Sequence, residues 1–440
     1  MFGKALCKLR GLAFWRLDSV KGNSVRNAYN KIKEIDHIDS RSDRVIKYQE
    51  NALNKLIVHA TDTTDFYKPF KGAVLKDFPV IDKHLINEHK KEFMSNIYNK
   101  NNLIAMSTSG STGTPFICYQ NKEKKKRVNA EVIYYSEKAG YSVGKNLIFL
   151  RALTEKSKKT KIHQWIQNES LIDISHLDNK NIEGILGEIE KASSSGSMIL
   201  AYASTLDVLK DYFKRNGNSK IGESNITGIV SSSEMLFDDT RDSISKAFNC
   251  QCFSRYSNQE NGIIGQDDRI NNAFLLNEAN YLVEIFKENE DTPVSEGEVG
   301  RIVITDLYNY AMPLIRYDTG DIGTTTFVNY NGIQKRAISN FGGRKIDIVY
   351  DCYGNRLSPH IISNNFWSFP EIKQFQFIQE TSNQYTIKIC ADRKLVKENE
   401  LKDILFNLLG KKAQIKLELV DQIPVLSSGK RKYVINRMNG

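Results

Sequence analysis

Residues 107–115 read STSGSTGTP. A run this dense in hydroxyls and glycine does not hold a helix or a central strand, because Ser and Thr compete for backbone hydrogen bonds and glycine costs most to order. As a loop it offers backbone N–H and O–H donors, the chemistry that receives an oxyanion cluster such as a triphosphate. A low-complexity surface linker has the same composition, and by composition alone both readings stand. The run fits neither G-x-x-x-x-G-K-[ST] nor G-x-G-x-x-G. Upstream of it lies helical periodicity, with Tyr48, Leu53, Leu56 and Ile57, ending around Phe78, Pro79 and Val80. Downstream, a charged helix pattern at 122–139 precedes the apolar run Leu147, Ile148, Phe149, Leu150. The alternation recurs as helix 181–192 before Met198 to Ala201, helix 205–215 before Ile226 to Val230, and helix 238–248 before 250–256. Short continuous apolar strands between helices predict an α/β protein with a largely parallel sheet covered on both faces.

Past residue 270 the pattern changes to period-two strands at 281–286, 299–305 and 324–328, as in an appended β subdomain. Beyond residue 343 comes a β-β-α-β pattern: Phe375 and Phe377, then Tyr385, Ile387 and Ile389, a helix at 396–409, and Ile415, Leu417 and Leu419. About a hundred residues suffice for a small domain. The chain of 440 residues therefore divides into a large unit, 1–342, and a small α+β unit, 343–440.

Hydrophobic residues make up 40% and charged residues 26% of the chain, which excludes disorder and collagen. No apolar run reaches the ~18 residues of a membrane span. Lys and Arg number 62 against 52 Asp and Glu, a mild excess of +10. The basic runs Lys124, Lys125, Lys126, Arg127 and Lys156, Lys158, Lys159, Lys161 lack the interleaved aromatics of a base-stacking surface. They read as solvated faces, and no nucleic-acid partner is expected. Six scattered cysteines suit a reducing compartment, the cytoplasm. Cys250 and Cys252 lack further Cys or His nearby to close a zinc site and read as one face of a buried strand. At the N-terminus, Phe2, Leu6, Leu9, Leu12, Phe14, Trp15 and Leu17 stand among Lys4, Lys8, Arg10 and Arg16, without the apolar core of a secretion signal. A basic amphipathic helix of this kind either packs on the core or gives residues 1–20 a peripheral contact with an anionic membrane at its inner face.

Four further segments carry chemistry. YSNQE places Tyr256 and Glu260 just after a predicted strand, where parallel sheets open onto binding crevices. A carboxylate there suits Mg2+, and a ring suits a purine. MPLIRYDTGD reads as an apolar strand ending in a Thr-Gly-Asp turn, with Asp321 projecting an acceptor toward ribose hydroxyls. GGRKID and LSSGKRK set the cations Arg344 and Lys430 beside glycine, which permits close approach to a phosphate and equally describes a solvated turn.

In this order, with FPVIDKHLI ahead of the hydroxyl-rich run and SSSEML after it, these segments resemble the adenylate-forming acyl-activating superfamily. The resemblance is to its phenylacetate–coenzyme A ligase family, including relatives from capsular-polysaccharide loci, and it covers most of the chain. It implies activation of a carboxylic acid by ATP and Mg2+ as an acyl-adenylate, followed by transfer to coenzyme A, or alternatively to an amine or a carrier. By the same resemblance, Thr108, Ser109, Gly110, Ser111, Thr112 and Gly113 would hold the ATP phosphates, and Ser233 and Glu234 would lie beside the adenine. Tyr256 would stack on adenine, Glu260 would ligate Mg2+, and Asp321 would bind the ribose. Arg344 would act from the hinge, and Lys430 would bridge carboxylate and α-phosphate from a mobile small domain.

Departures are visible too. Thr114 stands where many members carry Lys, Gln259 where Thr is usual, and Ile346 where an acidic hinge residue is common, with Asp347 next to it. GIIGQDDRINN occupies the place of a Cys and His zinc cluster, so no structural zinc is expected. A G-x-S-x-G around Ser142 lies between a helix and a following strand, the wrong order for a nucleophile elbow, and reads as a helix-ending turn at Gly140. His84 and His89 miss the H-E-x-x-H spacing of a metalloprotease. A non-catalytic, basic nucleotide-binding module at a membrane surface is the remaining competitor.

Overall fold

The computed structural model describes residues 2–108, 116–151, 153, 159–175, 177, 179–217, 221–232, 236, 238–287, 290–339, 341, 349–357, 362, 365–366, 369, 371–391, 398–421, 423 and 434–438. The amphipathic N-terminus folds as α1 (Phe2–Val20), followed by α2 (Ser24–Asp36) and α3 (Asp43–Thr63). α1 is seated by its glycine edge: a Cβ on Gly11 would stand 2.6 Å from the Val143 carbonyl oxygen, so only a bare backbone approaches this closely. Ser42 caps α3 by accepting from the Val45 N–H. The apolar stripe Leu56, Ile57 and Ala60 then packs on Tyr67, Phe78 and Phe93, the continuation of the helical region. α4 (Lys83–Glu88) starts at Asp82, whose carboxylate accepts from the Leu85 N–H at 2.8 Å.

β1 (Ile104–Thr108) and β2 (Phe116–Gln120) form an antiparallel pair with Thr108 opposite Phe116. The intervening residues 109–115 lie outside the described residues. α5 (Lys122–Lys138) follows and ends at Gly140, whose φ of 86° and N–H bond to the Glu137 carbonyl make it the expected helix-ending turn. Ser142 therefore sits ahead of a strand, without an elbow.

The helix–strand alternation builds β3 (Asn146–Arg151), α6 (Lys161–Gln167), β4 (Glu169–Asp173), α7 (Asn179–Ala192), β5 (Ser197–Tyr202), α8 (Ala203–Asn216), β6 (Ile226–Ser232), α9 (Asp238–Phe248) and β7 (Cys252–Asn258). These strands pair in parallel, in the order β4-β3-β5-β6-β7. Ile182, Ile185 and Ile189 of α7 and Leu206 and Leu209 of α8 close over Ile148, Leu150, Ile199 and Ile229. Truncating any of these to Ala would cost about 2–5 kcal/mol. Cys250 precedes β7 and Cys252 opens it, and burial pushes both thiols up to about 12.

The β subdomain is not appended. β8 (Gly262–Asp267) turns back antiparallel beside β7, and β9 (Phe274–Leu276), β10 (Tyr281–Phe286), β11 (Gly300–Asp306), β12 (Tyr317–Tyr330) and β13 (Ile333–Ser339) extend one 11-stranded sheet, ordered β10-β11-β12-β13-β9-β8-β7-β6-β5-β3-β4. β8 is buried along its whole length, so it carries no period-two alternation to announce it. A second correction concerns Thr319, Gly320 and Asp321, which sit inside β12 and not in a turn. The register shifts between Arg301 and Val303 of β11, Gly320 has φ 77°, and its N–H reaches the Asp318 carboxylate at 2.7 Å. Turn-type residues thus make a β-bulge that re-aims Asp321.

The C-terminal unit has its own core. β14 (Val349–Tyr350) pairs β15 (Arg356–Leu357), and β16 (Ile372–Gln379), β17 (Gln384–Ala391), α10 (Glu398–Leu409), β18 (Gln414–Leu419) and β19 (Val434–Asn436) give a four-stranded sheet, β18-β17-β16-β19. Phe375, Phe377, Tyr385, Ile387 and Ile389 pack on Leu401, Leu405 and Leu409 of α10, as the periodicity predicts. The 342/343 boundary falls on residues outside the described ones.

Candidate functional site

Two chain segments meet where β7 ends and β12 begins. Each carries a tyrosine and a carboxylate four residues apart: Tyr256 and Glu260 on the first, Tyr317 and Asp321 on the second. The pairing is crossed. The Tyr256 hydroxyl donates to Asp321 Oδ2 at 3.0 Å, and the Tyr317 hydroxyl donates to Glu260 Oε1 at 2.6 Å. The bulge at Gly320 makes this geometry possible, because it turns Asp321 back toward β7.

Glu260 is buried, at 1% exposure, and takes a second donor, Lys83 Nζ, at 2.9 Å. Burial opposes its ionisation, but the Lys83 charge and the Tyr317 hydrogen bond outweigh that and hold the carboxyl below its usual range. Lys83 reaches the site because Ile81 bridges in parallel to Tyr317, with Ile81 N–H donating to the Arg316 carbonyl and Asp318 N–H to the Ile81 carbonyl. Arg316 itself has φ 54° and is held there by the Glu284 carboxylate and the carbonyls of Lys76 and Phe78. A left-handed arginine persists only where its surroundings over-determine it. The β1–β2 pair is tied in as well: the Gln120 side chain donates to the Glu260 carbonyl at 3.0 Å, and the Phe116 ring stacks on Tyr317. Of the two ends of β2, the one that follows residues 109–115 therefore lies against Tyr317, and the other reaches Glu260.

Tyr256 is 6% exposed, with its ring 4.6 Å from Phe341 and 6.1 Å from Phe274 between centroids. Its hydroxyl also lies 3.2 Å from Thr319 Oγ1. Asp321 is half-buried. It lies inside β12, between β11 and β13, and its carboxylate accepts from the Tyr256 hydroxyl.

Of the residues singled out from sequence, Tyr256, Glu260 and Asp321 come together here. The Thr108 backbone closes β1. Residues 109–113, Ser233, Glu234, Arg344 and Lys430 lie outside the described residues. Lys83 and Tyr317 were missed, although both lie in quoted segments, FPVIDKHLI and PLIRYDTGD. Their signal was position beside a motif, not composition. The basic run on α5 needs correcting: Lys124 is fully buried, 2.7 Å from Asp306 and 3.1 Å from the Tyr281 hydroxyl, which in turn reaches Glu131 and the Asn261 carbonyl. Arg127 lies over the Tyr308 ring and donates to Tyr48 and Asn280. Lys124 and Arg127 are therefore structural and not part of a solvated face, because Asp306 of β11 and the distant Asn280 and Tyr48 supply partners no local pattern shows.

Known proteins resemble this chain in sequence and in fold. Residues 349–437 match the family described as the CapK C-terminal domain. Protein CapK of Staphylococcus aureus is 22% identical over 462 residues, covering 100% of this chain and 97% of that protein. Among solved structures, 2-hydroxyisobutyryl-CoA ligase with 2-HIB-AMP and CoA in its thioesterification state has a TM-score of 0.59 at 15% identity, covering 90% of this chain and 91% of the other. The same ligase in its postadenylation state with R3-HIB-AMP has a TM-score of 0.56 at 13% identity, covering 91% of each chain. Identities this low speak to fold. Residues 349–437 thus resemble the CapK C-terminal domain, and the chain shares the fold of 2-hydroxyisobutyryl-CoA ligase.

Proposed function

We propose that the protein activates a carboxylic acid with ATP and then hands the acyl group to coenzyme A. The carboxylate oxygen attacks the α-phosphorus, the bond to the β-phosphate oxygen breaks, and pyrophosphate leaves. In the second step the thiol sulfur attacks the acyl carbonyl, AMP departs, and the thiol proton is released. The observation that carries this reading is the crossed pair of tyrosines and carboxylates, seated against the strands that flank the hydroxyl-rich run. Glu260, buried and held ionised, has the donor chemistry for one protein ligand to Mg2+ shared with substrate phosphates. That ion would supply charge neutralisation on the phosphates. Asp321 takes the ribose hydroxyls, the Tyr256 ring supports the adenine, and Ser233 and Glu234 lie at its edge. Thr108, Ser109, Gly110, Ser111, Thr112 and Gly113 hold the phosphates. Arg344 works at the hinge, and Lys430 on the small domain neutralises charge that builds between carboxylate and α-phosphate.

The alternative acceptor in this reading is an amine or a carrier in polysaccharide synthesis. ATP–pyrophosphate exchange against a panel of aromatic, fatty and amino acids tests the first step. Exchange that depends on one acid and vanishes in Lys430→Ala is the expected result. Tight ATP binding without exchange for any acid favours a non-catalytic nucleotide-binding module. Once the acid is known, AMP release that depends on coenzyme A, or on an amine instead, assigns the acceptor.

A further inference from the structure

α6 is built inside out. Its polar Gln164 turns inward, accepting from the Leu171 N–H of β4 and donating to the Lys159 carbonyl. Ile162, Trp165 and Ile166, spaced to share one helix face, stand 71%, 66% and 62% exposed. A helix packed only for stability buries that face. Beside it lies α1, whose glycine edge is against the protein and whose outer surface shows Leu9, Leu12, Leu17 and Val20, all at least 60% exposed. Arg10 joins the two helices: its guanidinium lies 5.2 Å from the Trp165 ring and donates to the Trp165 carbonyl and the Asn168 side chain. The two apolar faces therefore form one patch, larger than scattered surface residues explain.

Among the described residues, the exposed charges of α1 and α6 have one sign. Lys8, Arg16, Lys21, Lys159 and Lys161 are exposed along α1 and α6. The single acid of α1, Asp18, is buried and capped by the N–H groups of Val25 and Arg26. α6 contains none, and Glu169 beside it is paired with Lys159. An apolar surface with a tryptophan at its rim and a surround of lysine and arginine is complementary to the interface of an anionic bilayer, where indole and ammonium groups sit at headgroup level above the acyl chains.

Position agrees with that partner. Gly3 and Gly11 of α1 contact Ser195 and Val143, just ahead of β5 and β3, so the patch lies at the edge where the parallel strands begin. Tyr256 and Glu260 lie at the opposite edge, where β7 ends. Contact through the patch leaves the candidate site open.

We propose that α1 and α6 together form a docking surface for anionic lipid, so that the protein works bound to a membrane surface through this edge. The test is cosedimentation of the full-length protein with vesicles of phosphatidylcholine alone or with about 30% phosphatidylglycerol, at low and high salt. Binding to the anionic vesicles only, weakened by salt, is expected, with Trp165 fluorescence quenched by brominated lipid and that quenching lost in Trp165→Phe. The variant Leu9→Ser/Leu12→Ser/Trp165→Ser should keep its thermal midpoint and bind at least about tenfold more weakly. No binding by the wild type, or equal binding by the triple variant, overturns the proposal. So does a wild-type dimer in sedimentation equilibrium that the triple variant converts to monomer, since a second copy would then cover the patch.

Discussion

The two tyrosine–carboxylate pairs of the site are built from the same two segments and differ in what surrounds them. Glu260 is buried with a phenol and an ammonium on its carboxylate, whereas Asp321 is half-buried with a phenol. Removing a carboxylate from water costs several kcal/mol unless a cation and good hydrogen bonds replace the solvent. Glu260 has that replacement and is fixed before any ligand arrives; Asp321 is only half-buried and needs less of it. One fold junction thus holds a preorganised anion on one segment and a receptive one on the other, each four residues from its own segment's tyrosine.

The largest break in that comparison is Lys83→Met. It strips the cation from a buried carboxylate and should lower stability by about 3–5 kcal/mol at neutral pH. The sign with pH follows from the depressed pKa of Glu260. The wild type holds this contribution fully above the ordinary glutamate range, near about 4.3, and loses it as pH falls through the lower folded value. In the variant, burial favours the protonated acid with only the Tyr317 hydrogen bond against it, so the gap between the two proteins should narrow in acid. Urea unfolding of both at pH 7 and at about pH 3.5 measures it. A gap that is constant with pH would show that Lys83 acts through packing and not through the Glu260 charge.

Glu260→Gln asks for less stability and more chemistry. The amide keeps the shape and can still meet the Tyr317 hydroxyl, but it gives up the anion. Exchange should fall by about 10²–10³-fold, the usual loss when one preorganised electrostatic contact is removed. ATP affinity measured at saturating and at limiting Mg2+ separates the two roles: the wild type should gain affinity with Mg2+, and the variant should not. Equal Mg2+ dependence in both would place the ion elsewhere.

The parallel half of the sheet was legible because its strands are short continuous apolar runs between helices of clear 3.6-residue period, and α9 matches its expected span, 238–248, at both ends. β8 was not, because a strand buried on both faces and only six residues long has no alternation to read. α6 and β4 were missed for the opposite reason: α6 turns its apolar face outward, so its pattern carries no core signal. At the site, Tyr256, Glu260 and Asp321 were visible as residues in recognisable segments, while the crossed pairing was not, since it depends on a bulge that puts a turn-like triplet inside β12. Lys124 shows the limit of charge patterning. Its burial depends on Asp306, which lies far away in sequence and is brought to it only by the fold.

The finest test sets the two phenols against each other. Tyr256→Phe keeps the ring packed on Phe274 and Phe341 and removes a hydrogen bond to a half-buried carboxylate, so stability should fall by about 0.5–1 kcal/mol. Tyr317→Phe removes a donor from a buried carboxylate that water cannot reach, and should cost about 1.5–3 kcal/mol. The same asymmetry should appear in kinetics. Losing the Tyr256 hydroxyl removes one contact that orients Asp321 and should raise the KM for ATP with kcat little changed, because ribose binding is the same in ground and transition states. Losing the Tyr317 hydroxyl loosens the preorganised anion and should lower kcat. Equal costs for the two variants would mean that both carboxylates have the same access to water, and the distinction between a fixed anion and a receptive one would fall with it.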